Sequence, residues 1–270
     1  MVAKTNDWVV RFSKRSDAEM RLLCCPYAGG GGHLFRDWAA DAAPWLEVLG
    51  ANPPGRGTRF GEPLVPRIEQ LVPELARAFL PFLDQPYAVF GHSMGSILAF
   101  ELTRYLRRQG LPGPKAIFLS SRAAPGRPPS RPPIHALPES EFVAQIGRYG
   151  GCPPELLADD ELMRLFSPVL RADFTACETH VYAEEAPLTC PITALFADGD
   201  PFVCQADVEP WALQTSAGFR SRGFVGDHFY LRDRSTGLVA FICETLRPFR
   251  AEHSRPEPSR SAVIEPPQSA

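Results

Sequence analysis

No stretch of this 270-residue chain stays apolar for long enough to cross a bilayer. Its first residues, MVAKTNDWVVRF, have neither an apolar core nor a small-residue cleavage site, so no signal peptide is read and a cytoplasmic location is expected. No basic run is dense, and the net charge is −3, which points away from nucleic-acid and membrane partners. None of the seven cysteines falls in a C-x-x-C pair, and Cys24 and Cys25 sit side by side in a strand-like run. That pattern indicates neither a zinc site nor a disulfide framework, and it suits buried free thiols in a reducing compartment. No metal and no resident cofactor are expected, and no internal repeat is visible.

What is present is ordinary globular material: 44% hydrophobic and 22% charged residues, enough to bury a large core without staples. Short apolar runs alternate with helical patterns. RLLCCPYAG (21–29), WLEVLGANPPG (45–55), PYAVFG (86–91), KAIFLSS (115–121), CPITALFADG (190–199) and SRGFVGDH (221–228) read as strands. Helical spacing marks 68–83, with Pro73 suggesting a start near it, then 93–110 and a closing stretch at 235–249. The alternation predicts an α/β fold with a mainly parallel sheet flanked by helices. One region departs from it. Residues 133–185 carry helical patterns and no strand, one helix opening at Pro138 and ending at Gly150-Gly151, and a longer one interrupted by Pro168. This reads as a lid inserted over the carboxyl edge of the sheet. The domain is expected to span 1–249, and 250–270, rich in Pro, Ser and charge, to be a disordered tail.

Within YAVFGHSMGSILAF (87–100), a serine stands between two glycines where a strand meets a helix. A hydroxyl is a weak nucleophile until a base takes its proton, and it must project from the scaffold. A tight strand-to-helix turn achieves this. Gly91 and Gly95 remove side chains that would clash where the helix crosses back, and the Met94 N–H at the helix start faces the place where an oxyanion forms. The pattern is weak alone; the apolar strand before it and the amphipathic helix after it give it weight. Ser93 is therefore the candidate nucleophile, against an incidental serine in a tight turn.

The partners should follow in the order acid, then histidine. Of six histidines, only His228, in VGDHFYL, lies in a loop after a late strand. His92 is inside the turn, its ring expected to point away from Ser93. ITALFADGDPFV offers Asp200 as the acid, with Asp198 as the fallback, although Asp-Gly-Asp-Pro is also good turn chemistry. A second oxyanion N–H should come from PYAGGGGHLF (26–35), where Tyr27, Ala28 and Gly29 are placed to donate and Ala28 is preferred. That glycine run matches neither G-x-G-x-x-G nor a P-loop.

These residues, taken with CCPYAGG, PPGRGTRFGEP (53–63), GHSMGSILAFEL, LMRLFSPVLRADF (162–174), CPITALFADGDPFV (190–203) and GDHFYL (226–231), resemble the type II thioesterases of polyketide synthase and nonribosomal peptide synthetase pathways. The motifs run in order over nearly the whole chain except the tail. The resemblance implies an α/β-hydrolase fold with a helical lid, a triad on Ser93, Asp200 and His228, and oxyanion amides on Ala28 and Met94. Two positions depart from the family pattern: Ala197 and Asp227 stand where glycines are frequent. An acidic Asp227 beside His228 would favour the protonated imidazole.

The implied substrate is an acyl thioester on the phosphopantetheine arm of an acyl or peptidyl carrier protein, the partner expected for a monomeric enzyme. The implied role is editing, the removal of aberrant or stalled acyl groups. Ser93 would attack the acyl carbonyl, His228 would take its proton, and each oxyanion donor would contribute about 3–4 kcal/mol. Lid residues Phe142, Val143, Ile146, Leu162, Leu165, Phe166, Leu170 and Phe174 are available to line an acyl chamber, with Phe142, Ile146, Phe166 and Phe174 the chosen substrate contacts. Arg122, Arg127 and Arg131 offer a docking patch for an acidic carrier, or a solvated loop. The rivals are a carboxylesterase or lipase of the same fold, an acyltransferase, and a non-catalytic binding protein.

Overall fold

The computed structural model describes residues 7–12, 18–127 and 131–250. Seven strands form one sheet in the order β1-β3-β2-β4-β5-β6-β7. They are β1 (Val9–Arg11), β2 (Met20–Cys25), β3 (Leu46–Ala51), β4 (Tyr87–His92), β5 (Ile117–Ser120), β6 (Ile192–Ala197) and β7 (Phe219–Phe224). Every neighbouring pair is parallel except β1 with β3. The helices are α1 (Arg36–Asp41), α2 (Ile68–Phe79), α3 (Met94–Arg108), α4 (Glu139–Tyr149), α5 (Pro154–Leu157), α6 (Asp160–Glu178), α7 (Gln205–Val208) and α8 (Leu238–Leu246).

The sheet is covered on both faces, which is why its strands read as unbroken apolar runs. Leu23, Cys25, Val89, Ile117 and Ala194 face one layer with α2 and α3; Leu22, Cys24, Phe90, Phe118 and Leu195 face the other with Trp38 of α1 and Ile242 and Leu246 of α8. Alternate residues of a single strand thus enter opposite cores. All six predicted strands form. The seventh, β1, leaves no pattern in the sequence, being three residues long and burying only Val9.

Two proline readings need correction. Helix α2 begins at Ile68 and passes through Pro73, and α6 runs unbroken through Pro168. An interior proline forfeits one hydrogen bond and costs about 3 kcal/mol. The buried stripes offset it: Ile68, Leu71, Val72, Leu75 and Phe79 on α2, and Met163, Val169, Leu170 and Ala176 on α6. Helix α6 is also well started, because the Asp159 carboxylate accepts from the amides of Glu161 and Leu162 at 2.9 and 3.0 Å.

Helices α4 to α6 lie between β5 and β6 in sequence and hold a small core of their own, Ile134, Phe142, Ile146 and Leu170. They sit over the carboxyl ends of the strands. Leu170 packs on Gly29 after β2, and Tyr149 stacks on Phe202 after β6 with ring centroids 4.3 Å apart. At the end of the described chain Arg250 is paired with Glu19 at 2.6 Å; the rest of the expected tail, 251–270, lies outside the described residues.

Candidate active site

Ser93 joins β4 to α3 with φ 54° and ψ −112°, a backbone region that a residue with a side chain rarely adopts. The strain is over-determined by its surroundings. The Ser93 N–H donates to the Ser120 carbonyl at 2.8 Å. A Cβ on Gly91 would strike the Gly95 carbonyl, and one on Gly95 would strike the Cys25 carbonyl. Both glycines are therefore required by the close crossing of strand and helix. Met94 is the first residue of α3, so its N–H has no carbonyl of its own helix to bond.

Asp200 and His228 come from the loops after β6 and β7, which are adjacent and parallel. His228 Nδ1 lies 2.8 Å from Asp200 Oδ2, and the other Asp200 oxygen accepts the Phe202 N–H at 2.9 Å. Both side chains are buried. Asp198, the alternative acid, is exposed and accepts the Gly226 N–H at 3.1 Å. Asp227 accepts the Phe229 N–H at 2.7 Å, a local turn contact on the surface. Thus Asp200, and not its neighbours, meets the imidazole.

His92 is also close, its ring centroid 5.2 Å from that of His228. Its Nδ1 is tied to Ser120 Oγ at 2.8 Å, which is 2.7 Å from the Tyr230 hydroxyl. Burial, with the nearby His228 adding to it, pushes the His92 imidazole well below its ordinary pKa. That favours the neutral ring, which adds no like charge beside His228.

Ser93 and His228 open into one chamber of about 830 Å³, which the Ala28–Gly31 loop also lines. A histidine held by a carboxylate can remove the proton of a hydroxyl that opens into the same chamber, and amides at a helix start can hold an oxyanion. The chamber's thiols are held toward their protonated, less nucleophilic form. Burial pushes Cys177 up to about 12, and Cys152 is raised for the same reason.

The thioesterase-domain family profile matches residues 20–246. The chain belongs to the thioesterase family. It is 39% identical over 245 residues to the linear gramicidin dehydrogenase LgrE of Brevibacillus parabrevis, covering 90% of this chain and 93% of that one. It is 35% identical to the thioesterase PikA5 of Streptomyces venezuelae over 97% and 91% of the two chains. Among solved structures it is similar to the type II thioesterase BorB from the borrelidin biosynthetic cluster, with a TM-score of 0.81 and 34% identity over 89% and 98% of the chains. The dehydrogenase in LgrE's name has no counterpart in this chain's glycine run, which does not follow G-x-G-x-x-G. The enzyme is a hydrolase of thioesters on an α/β-hydrolase fold.

The thioesterase's chamber corrects one expected contact. Ile146, Phe166 and Phe174 line it, as do Leu170 and Val169, but Phe142 does not. Phe142 is fully buried inside the lid, edge-on to Phe174 and under the Arg171 guanidinium. Val143, Leu162 and Leu165 also lie off the chamber wall. Much of the apolar wall comes instead from the hydrolase body, with Ile97, Phe100, Phe202, Trp211 and Phe229. Helical spacing in 93–110 shows that Ile97 and Phe100 can face inward, but no local signal separates core from chamber there. Arg122, Arg127 and Arg131 all border the chamber. Arg127 is paired with Asp207 at 3.0 Å, and Arg131 lies 4.0 Å over the Phe202 ring.

Sequence reading also missed the anchor at the end of the lid. His180 lies 3.1 Å from Glu69 of α2 and 3.6 Å from Glu101 of α3. Burial opposes the imidazolium, but Glu101 and Glu69 outweigh it, and the His180 pKa rises above its ordinary value. A raised folded-state pKa gives stability that is full below the unfolded value and is lost as pH rises through the folded one. His180→Gln should therefore cost more stability at about pH 6 than at about pH 9 in urea unfolding. Equal costs at the two pH values would remove the anchor from the account.

Proposed function

We propose that the thioesterase cleaves acyl groups from the phosphopantetheine arm of acyl or peptidyl carrier proteins, editing a polyketide or nonribosomal peptide synthase. The observation that carries this reading is His228, held by the buried Asp200, opening with the strained Ser93 into one largely apolar chamber. One relative is named a gramicidin S biosynthesis protein, and structural neighbours include type II thioesterases from the borrelidin cluster and the yersiniabactin NRPS/PKS pathway, which supports the pathway class.

In this reading Ser93 attacks the acyl carbonyl as His228 accepts its proton, with Asp200 holding the imidazole and steadying its charge. The Ala28 and Met94 amides bind the oxyanion. The phosphopantetheine thiol leaves readily, because its pKa is about 8.5. Water, activated by His228, then frees the acid. Ile146, Phe166 and Phe174 line the acyl path. Phosphopantetheine arrives with the substrate, so no resident cofactor takes part. All the proposed reacting groups come from one chain, so a monomer suffices. The seven free cysteines suit the cytoplasm, and among the described residues no helix is long and apolar enough to cross a membrane.

The test is intact-protein mass spectrometry of an acyl-loaded carrier protein incubated with the enzyme, with a simple ester run in parallel. Loss of the acyl mass from the carrier is the expected result. Cleavage of the ester while the carrier stays loaded would overturn the editing role and leave an esterase.

A further inference from the structure

Asp173 stands on the lid helix α6, yet its carboxylate reaches out of the lid. One oxygen accepts the Gly29 N–H at 2.7 Å, and both lie 2.9 Å from Nη2 of Arg56. Its side chain is 4% exposed. Gly29 is the third residue of a tight turn that the Gly30 N–H closes onto the Tyr27 carbonyl at 2.9 Å, and its φ is +79°. That φ is the type II requirement at this position. The bond from Gly29 N–H therefore holds the Ala28–Gly29 peptide in one orientation. Type I and type II turns differ by a flip of this central peptide, so the acceptor decides between them. Leu170, one turn earlier on α6, packs on the same glycine.

We propose that Asp173 is a positioning residue that reaches from the lid to fix the central peptide of this turn and, through it, the adjoining Tyr27–Ala28 peptide whose N–H is the Ala28 amide. The inference rests on the proposed role of that amide as an oxyanion donor. It makes the donor dependent on the lid: the turn is held only while α6 is docked through Asp173 and Leu170. Stability alone is a poor reason for the Asp173–Arg56 pair. Burial disfavours both charges, raising Asp173 and lowering Arg56, and Arg56 Nε and Nη1 have no hydrogen-bond partner among the described residues. A buried pair with donors left over is commonly no better for folding than apolar residues of its size.

That property supplies the test. Asp173→Leu with Arg56→Met removes the acceptor and both charges together, and should leave the melting temperature unchanged or higher. On an acyl N-acetylcysteamine thioester, kcat should fall by about 100-fold with KM within about twofold, the cost of a small misplacement at a reacting centre. Affinity for hexylboronic acid, whose adduct with Ser93 places an oxygen in the oxyanion position, should fall in parallel. Asp173→Asn with Arg56→Gln keeps an acceptor for Gly29 and should recover most of both losses. Unchanged kcat in D173L/R56M, or a kcat loss with boronate affinity intact, overturns the proposal. Should D173L/R56M fail to fold, Asp173→Ala with Arg56→Gln removes the acceptor instead, and its equality with D173N/R56Q overturns it. A wild type that neither hydrolyses the thioester nor binds the boronic acid would sink the hydrolytic reading and this inference with it. An active wild type with indifferent variants removes the inference alone.

Discussion

Ser93→Ala is expected to lower kcat on an acyl thioester by about 10⁶-fold, with His228→Ala nearly as severe and the double variant no worse. The non-additivity is the informative part. A hydroxyl without its base and a base without its hydroxyl fail at the same step, so the second loss has little left to remove. What remains should be about 10³–10⁴ over the uncatalysed rate, supplied by binding and oxyanion amides. The fold should not suffer. Alanine keeps a Cβ at φ 54° and so inherits the strain already present, while the Ser93 N–H bond to the Ser120 carbonyl is backbone only. Stopped single-turnover assays with thermal melts check both halves. A Ser93→Ala enzyme retaining about a tenth of wild-type turnover would move the nucleophile elsewhere.

Asp200→Asn should cost about 10⁴-fold in kcat with the fold intact, while Asp198→Asn stays within about twofold of wild type. The carboxylate accepts from His228 Nδ1 at 2.8 Å and from the Phe202 N–H at 2.9 Å. An amide in its place can turn its NH₂ to Nδ1. It then holds the other tautomer, with the proton on the nitrogen that has to accept one. Nor can a neutral amide steady the imidazolium that forms. Asp198 has no such part, since it caps Gly226 in an exposed turn. Comparable losses for the two variants would return the acid assignment to both.

The strand-turn-helix around Ser93 was legible because its cause is local. Glycines at 91 and 95 with an apolar run on each side admit few backbone paths, and any Cβ there would collide with backbone atoms. The order acid then histidine was legible for a topological reason: β6 and β7 are neighbours, so their carboxyl-end loops meet. Pro73 and Pro168 misled because a proline's cost is visible locally while the burial that offsets it lies along a whole helix. Phe142 misled because helical spacing shows that a side chain faces inward without showing whether a core or a cavity lies there.

The sequence by itself determined the layered α/β plan, the nucleophile turn and the short set of residues able to serve it, since period, glycine placement and motif order are properties of neighbours along the chain. Only the tertiary structure decided between Asp198 and Asp200, drew the chamber wall from Phe100 and Trp211 as much as from the lid, and joined Asp173 to Gly29 across 144 positions. Those outcomes depend on which distant surfaces come together, and no local pattern encodes the distance between two loops.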